Sequence, residues 1–428
     1  MSDHRGKSAS VREPDAEPIT SIVVRRARAV TLAEGPRPRR GDSLRNLAIV
    51  DPADVWIVDD RIHAVARSGN LPANCPVAVD HHEIDAGGRI LMPGFVDCHT
   101  HACWSGDRLD EWEMKLRGTA YLEILKAGGG IMSTVRAVRA APGVHLEATL
   151  LDRLKHMSRH GTTTAEVKSG YGLTAENEVK MLAAAHAAAA RWQGSLTSTA
   201  LLGHAIDPAQ PDFIRETIEV TLPAVSKIFP GITMDAYCEQ GAWSLADCLA
   251  LFDAAASHGH PVRVHADQFS STGMVSEAVA RGYRSVDHLE ATTPADLRTL
   301  ATSNTFGVML PACGFHLDGR YADGRGFVEA GGAIAIATNC NPGSAPTHSM
   351  PFVIALAVRH LGLSPAEAIS AGTINPAALL GFTDRGAIAP GHRADVIVLH
   401  HADERSLAYE VGANPVDIVI CGGRIMEI

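Results

Sequence analysis

The stretch GFVDCHTHACWSGDR, residues 94–108, decides the fold. A short apolar run, Phe95-Val96, ends on two histidines one residue apart. In a strand, residues i and i+2 point to the same face, so His99 and His101 stand side by side at the strand's end. An HxH pair alone is weak, because the chain has 21 histidines. The HH pairs at 81–82 and 400–401 read as solvated strand-edge residues. The pair at 99–101 differs because it follows an apolar strand, and the same texture recurs down the chain.

Working outward, strand cores read GFVDCH, TTTAEVK, TSTALLGH, TMDAYCE, VRVHAD, SVDHLE, TFGVML and AIAIATN. They end near His99, Lys168, His204, Glu239, Asp267, Glu290, Leu310 and Asn339. Helix-like segments lie between them. TAENEVKMLAAAHAAAARW opens on Thr174 as N-cap, and SPAEAISAGTI opens on a capping box, Ser364 to Glu367, with proline at N1. Alternating strands and helices of this number predict a parallel (β/α)8 TIM-type barrel, whose chemistry sits at the C-terminal strand ends. Short strand-like runs before residue 90 and after residue 385 predict a small composite β-domain built from both chain termini. Two separate β-domains would each have too little core. The expected division is a disordered tail at 1–18, the β-domain at 19–90 plus 385–428, and the barrel at 91–384.

The length of 428 residues suits a large barrel with a companion domain. A net charge of -10 argues against nucleic acid or anionic membrane as partner. The 8 cysteines are scattered without a CxxC pair, which fits free thiols in a reducing cytoplasm. The polar opening residues suggest neither a signal peptide nor a membrane span.

Histidines recur at the strand tips: His265 ends VRVHAD and His288 ends SVDHLE, while Asn339 ends the eighth strand. Side by side in a barrel mouth, they form a constellation for a metal ion.

At this point the sequence resembles the amidohydrolase superfamily, and within it the imidazolonepropionase family of histidine degradation. The resemblance runs from about Ile22 onward. It rests on GDR at 106–108, AGGGIMSTVRAVRAA at 127–141, EVKSGYGL at 166–173, LLGH at 201–204, HADQFS at 265–270, DHLE at 287–290 and NPGS at 341–344. It implies that His99, His101 and His265 bind a metal that activates water against 4-imidazolone-5-propanoate, a small anionic substrate, giving N-formimidoyl-L-glutamate. His288 would stabilise the oxyanion or move a proton. Arg108, Tyr171, His204, Gln268, Asn341, Gly343 and Ser344 match the family's substrate-contacting positions. A guanidinium is the natural partner of the propionate, and the backbone amides of the NPGS turn are on offer to an anion. Binuclear relatives carry a bridging lysine on the fourth strand. None stands here, so one metal ion is expected, zinc or iron. A homodimer is compatible with the sequence.

Two departures bear on function. The family's eighth strand ends in an aspartate that ligates the metal and takes a proton. Asn339 can offer a neutral oxygen to a metal but is no general base. It is a substitution made to trap a complex, a natural residue with His288 or another group taking the proton, or the mark of a non-catalytic binder of a small anion. A hydrolase ranks above a binder because the other substrate-type positions are intact. Another amidohydrolase, a cyclic amidase or formimidoyl-glutamate deiminase, would share the metal site without needing both Arg108 and Tyr171. The second departure is the Gly-, Asp- and Arg-rich stretch at 311–326, expected as a lid or a disordered excursion.

Overall fold

The structure is a computed structural model and describes residues 20–73, 80–119, 123 and 127–427. The expected tail, 1–18, lies outside the described residues. Five strands come first: β1 (Thr20–Val30), β2 (Ile49–Val58), β3 (Arg61–Arg67), β4 (Asp80–Asp85) and β5 (Ile90–Pro93). The barrel strands follow: β6 (Phe95–Asp97), β7 (Thr162–Lys168), β8 (Ser195–Gly203), β9 (Thr233–Cys238), β10 (Val264–Ala266), β11 (Ser285–His288), β12 (Phe306–Met309) and β13 (Ile334–Ile336). The chain closes with β14 (Val396–Leu399), β15 (Val416–Cys421) and β16 (Arg424–Ile425).

Both chain ends share one sheet, in the order β16-β15-β14-β5-β1-β2-β3, with β4 beside β1. The joint is β5, which runs parallel to β1 and antiparallel to β14. Ile22, Val24, Val55, Ile57, Leu91, Val396, Val398 and Ile420 pack into one core. Neither terminal segment could bury that surface alone.

The barrel strands pair in chain order from β6 to β13, all parallel. Helices cover their outer faces, so both sides of these strands are buried and most of their residues are apolar, with Glu166, Lys168, Asp235 and Asp287 as buried charged exceptions. The seam between β13 and β6 closes just past the strand ends. There Asn339 N donates to His99 O (3.0 Å) and His101 N to Cys340 O (3.0 Å). Asp97 stitches the same seam by accepting from Thr338 N (3.1 Å) and Thr338 Oγ1 (2.5 Å). Burial pushes its carboxyl up to about 7.

The caps are as the sequence suggested. Thr174 Oγ1 accepts from Asn177 N, and Ser364 with Glu367 forms the capping box. At 311–326 the expectation of a disordered excursion is corrected. The stretch begins as a helix, Pro311–His316, whose first four residues are buried. Tyr321 stacks on His360, with ring centroids 4.2 Å apart. Pro311, Ala312 and Cys313 supply buried packing that the Gly- and Asp-rich half obscured, while Phe315 is exposed.

Gly94 sits where the terminal sheet meets the barrel. A Cβ there would lie 2.3 Å from Thr163 Oγ1 on β7. Gly94→Ala is therefore expected to destabilise the protein by about 1–3 kcal/mol, the usual cost of overpacking. A denaturation midpoint equal to the parent's would show that the two layers are not pressed together there.

Candidate metal centre and active site

His99 and His101 leave the end of β6, and His265 lies in β10. All three side chains are buried. One nitrogen from each falls in a group whose members lie within 4.8 Å of one another. His101 Nε2 is 3.3 Å from His99 Nε2 and 3.3 Å from His265 Nε2.

These contacts are not ordinary hydrogen bonds. His99 Nδ1 donates to Asp287 Oδ2 at 2.6 Å, and His265 Nδ1 donates to Asp235 Oδ1 at 3.1 Å. The carboxylates thus fix both tautomers and leave a lone pair on each Nε2. His101 Nε2 can satisfy at most one of those lone pairs with a proton. A shared cation satisfies all three at once. Two nitrogens held about 2.0–2.1 Å from one tetrahedral ion stand about 3.3 Å apart, the separation seen here.

Electrostatics keeps the donors neutral. Burial, then the Lys168 ammonium, holds the His99 imidazole well below its ordinary value. Burial, then His204, does the same for His101, and burial outweighs Asp235 at His265. Asn339, whose backbone amide is tied to His99 O, offers an oxygen as well as these nitrogens. It is buried, with a φ of 56°, and its Oδ1 has no hydrogen-bond partner. His101 Nδ1 is likewise buried without a partner. The donor set fits a metal ion.

Beneath the histidines lies a buried charged floor. Lys168 Nζ donates to Glu166 Oε1 (2.8 Å) and Asp235 Oδ2 (2.9 Å). Burial and Arg263 push the Lys168 ammonium toward neutrality, but Asp235, Glu166 and Asp287 outweigh them and raise its pKa. Arg263 Nη2 donates to Asp287 Oδ2 at 2.7 Å. Asp287 therefore serves both His99 and Arg263.

The walls use the remaining expected residues. Tyr171 is buried, with its ring 5.0 Å from that of His204, and His204 stacks on His101 at 4.9 Å. His204 Nδ1 donates to Gly170 O at 3.0 Å, and burial, then His265, drops its pKa to about 3. Tyr237 Oη donates to Gln268 Oε1 at 2.8 Å. Arg108 pairs with Glu111, through Nε to Oε2 at 2.5 Å, rather than with Asp107 or Asp110. Its Nη1 lies 3.2 Å from where a Cβ on Gly343 would sit, so glycine there lets the guanidinium reach the turn. His288 stands beside the trio, with its ring 5.6 Å from His265 and 6.1 Å from His99.

One expectation fails. The amides of Gly343 and Ser344 are not on offer to an anion, because both donate to Asn341 Oδ1, at 2.8 and 2.7 Å. The asparagine closes an Asx-type turn on itself, while its Nδ2 holds Asn339 O at 2.6 Å. Asn341 thus shapes the turn and steadies the eighth strand's tip.

Sequence reasoning missed Asp235, Asp287 and Glu178. The first two are carboxylates inside otherwise apolar strands, a signal that was present. Glu178 accepts from Gly170 N, Gly172 N and Leu173 N at 2.8–2.9 Å and so holds the Tyr171 loop.

Neutral imidazoles gathered at the mouth of a parallel barrel and backed by carboxylates are a hydrolytic metal centre in form, and the wider chain agrees. The family model of the amidohydrolase family matches residues 90–426, and the chain belongs to that family. Its donor set suits the metal dependence general there. Imidazolonepropionase of Herpetosiphon aurantiacus is 41% identical over 410 residues, covering 92% of this chain and 95% of the relative. Imidazolonepropionase of Rubrobacter xylanophilus is 38% identical over 411 residues, covering 95% and 99%. Among solved structures, 5-methylcytosine deaminase from Klebsiella pneumoniae aligns with a TM-score of 0.71 at 16% identity, over 95% of this chain and 97% of that one. A triazine hydrolase variant aligns with a TM-score of 0.69 at 16% identity, over 95% and 94%. These two likenesses concern the fold alone.

Proposed function

We propose that the protein hydrolyses the cyclic amide of 4-imidazolone-5-propanoate to N-formimidoyl-L-glutamate, the imidazolonepropionase step of histidine degradation. The reading is carried by three Nε2 lone pairs converging at 3.3 Å contacts in the same mouth as Arg108. The near-full-length likeness to imidazolonepropionases supports it. His99, His101 and His265 would hold one ion, zinc or iron, with the unpartnered Asn339 Oδ1 available as a further donor. One ion suffices because Lys168 is a paired ammonium on the second strand and β9 carries no lysine. An ion held by the three histidines would supply an acidified water as the nucleophile for the ring carbonyl.

The chain's own groups do the rest. Glu290 Oε1 lies 3.2 Å from His288 Nδ1, which fixes the Nδ1–H tautomer and leaves Nε2 to accept a proton. Asn339 cannot take that proton, so the transfer falls to His288. Tyr171, His204 and Gln268 line the ring's binding space. Arg108 anchors the propionate, its fork oriented by Glu111. The surroundings are cytoplasmic: the seven described cysteines are free and buried. Among the described residues, no helix is long and apolar enough to cross a membrane.

Arg108→Ala tests the substrate assignment. KM should rise about 10- to 100-fold, the worth of about 1.5–3 kcal/mol for a charge-assisted contact. Metal content and part of kcat should survive. Loss of the ion, or an unchanged KM, would mean that Arg108 only braces the loop.

A further inference from the structure

We propose that His288, Glu290 and Cys313 form a second metal site, for one thiophilic divalent cation of the zinc class, beside the catalytic centre. A nitrogen, a carboxylate oxygen and the thiol sulfur of these residues lie within 4.8 Å of one another. The group comes from two elements. His288 and Leu289 both have positive φ, 96° and 75°. The folded-back end of β11 that they form sets Glu290 against His288. Cys313 comes from the Pro311–His316 helix, in the stretch that departs from the family pattern.

Glu290 supplies a second, independent sign. Its side chain is 6% exposed, and Oε2 is buried with no hydrogen-bond partner. A buried carboxylate oxygen left unpaired is costly, and a cation relieves that cost directly. On the outer side of Glu290 and Cys313 lies a small cavity of about 10 Å³, roughly the space of a single water-sized occupant, bordered also by Gln268 and Arg320 but not by His288. Thiolate, imidazole and carboxylate together suit zinc-class ions and not magnesium or calcium. Binding is a balanced exchange in which the ion enters and the Cys313 thiol proton leaves to solvent.

The site does not rest on the function proposed above, but one consequence does. A filled site occupies His288, so a second equivalent of metal should lower kcat by about 10²-fold or more, the worth of a positioned base.

Cobalt(II) distinguishes the two sites. The His99, His101 and His265 centre contains no sulfur, so a thiolate-to-cobalt charge-transfer band can report only the second site. Protein already carrying one equivalent of metal, kept reduced, is titrated with Co2+ in the absence of substrate. A band that saturates at one further equivalent is expected. Cys313→Ser should remove it while leaving the first equivalent bound and the circular dichroism unchanged, and Glu290→Gln should weaken the binding. No band in the folded parent, or a band that survives Cys313→Ser, would overturn the site. A full band with undiminished kcat would overturn the inhibitory consequence. Because the band is read without substrate, failure to open the imidazolone would count against the functional reading alone.

Discussion

Asn339→Asp is expected to raise kcat for 4-imidazolone-5-propanoate by about 10²–10⁴-fold, the usual worth of a positioned general base. The side chain is buried at the seam, tied to His99 O through its backbone amide, and its Oδ1 is unpartnered. A carboxylate of the same shape puts an anion where the amide now offers a neutral oxygen. It should tighten metal binding and give the water's proton a second acceptor. The partner experiment is His288→Asn. In the unaltered chain that change should abolish measurable turnover, because no other base serves. In the Asn339→Asp background, part of the rate should return. If Asn339→Asp leaves kcat unchanged or lowers it, His288 alone is adapted to the proton transfer, and the amide is the better ligand here.

Lys168→Met is expected to cost about 3–5 kcal/mol of stability, the loss found when one partner of a buried ion pair is removed. The ammonium is fully buried and bridges Glu166 and Asp235. Without it those carboxylates face each other across the barrel interior with only Arg263 as counter-charge. Such a loss is a large part of the roughly 5–15 kcal/mol by which proteins are ordinarily stable. It should appear as a lower denaturation midpoint. Adding Glu166→Gln should recover part of it by removing one orphaned charge. A Lys168→Met protein as stable as its parent would show that the floor is not held together by charge.

The barrel was legible in the sequence because parallel strands buried on both faces are rich in apolar residues, so GFVDCH, VRVHAD and AIAIATN stand out. His99 and His101 were legible because strand geometry places i and i+2 together. The floor was harder to read. Asp287 meets His99 across 188 residues of chain, and a lone aspartate in a strand reads equally well as a surface residue. The NPGS turn misled for a local reason. Whether its amides face an anion or the Asn341 side chain depends on one rotamer, which composition does not encode. The helix at Pro311–His316 was hidden because its few apolar residues are followed at once by Gly, Asp and Arg. Cys313 was hidden with it.

Turnover of 4-imidazolone-5-propanoate by protein carrying one equivalent of zinc or iron tests the central claim most directly. Ring opening to N-formimidoyl-L-glutamate is predicted, lost when a chelator strips the ion and restored when it is returned. A metal-loaded protein that binds the imidazolone and leaves the ring closed would contradict the account.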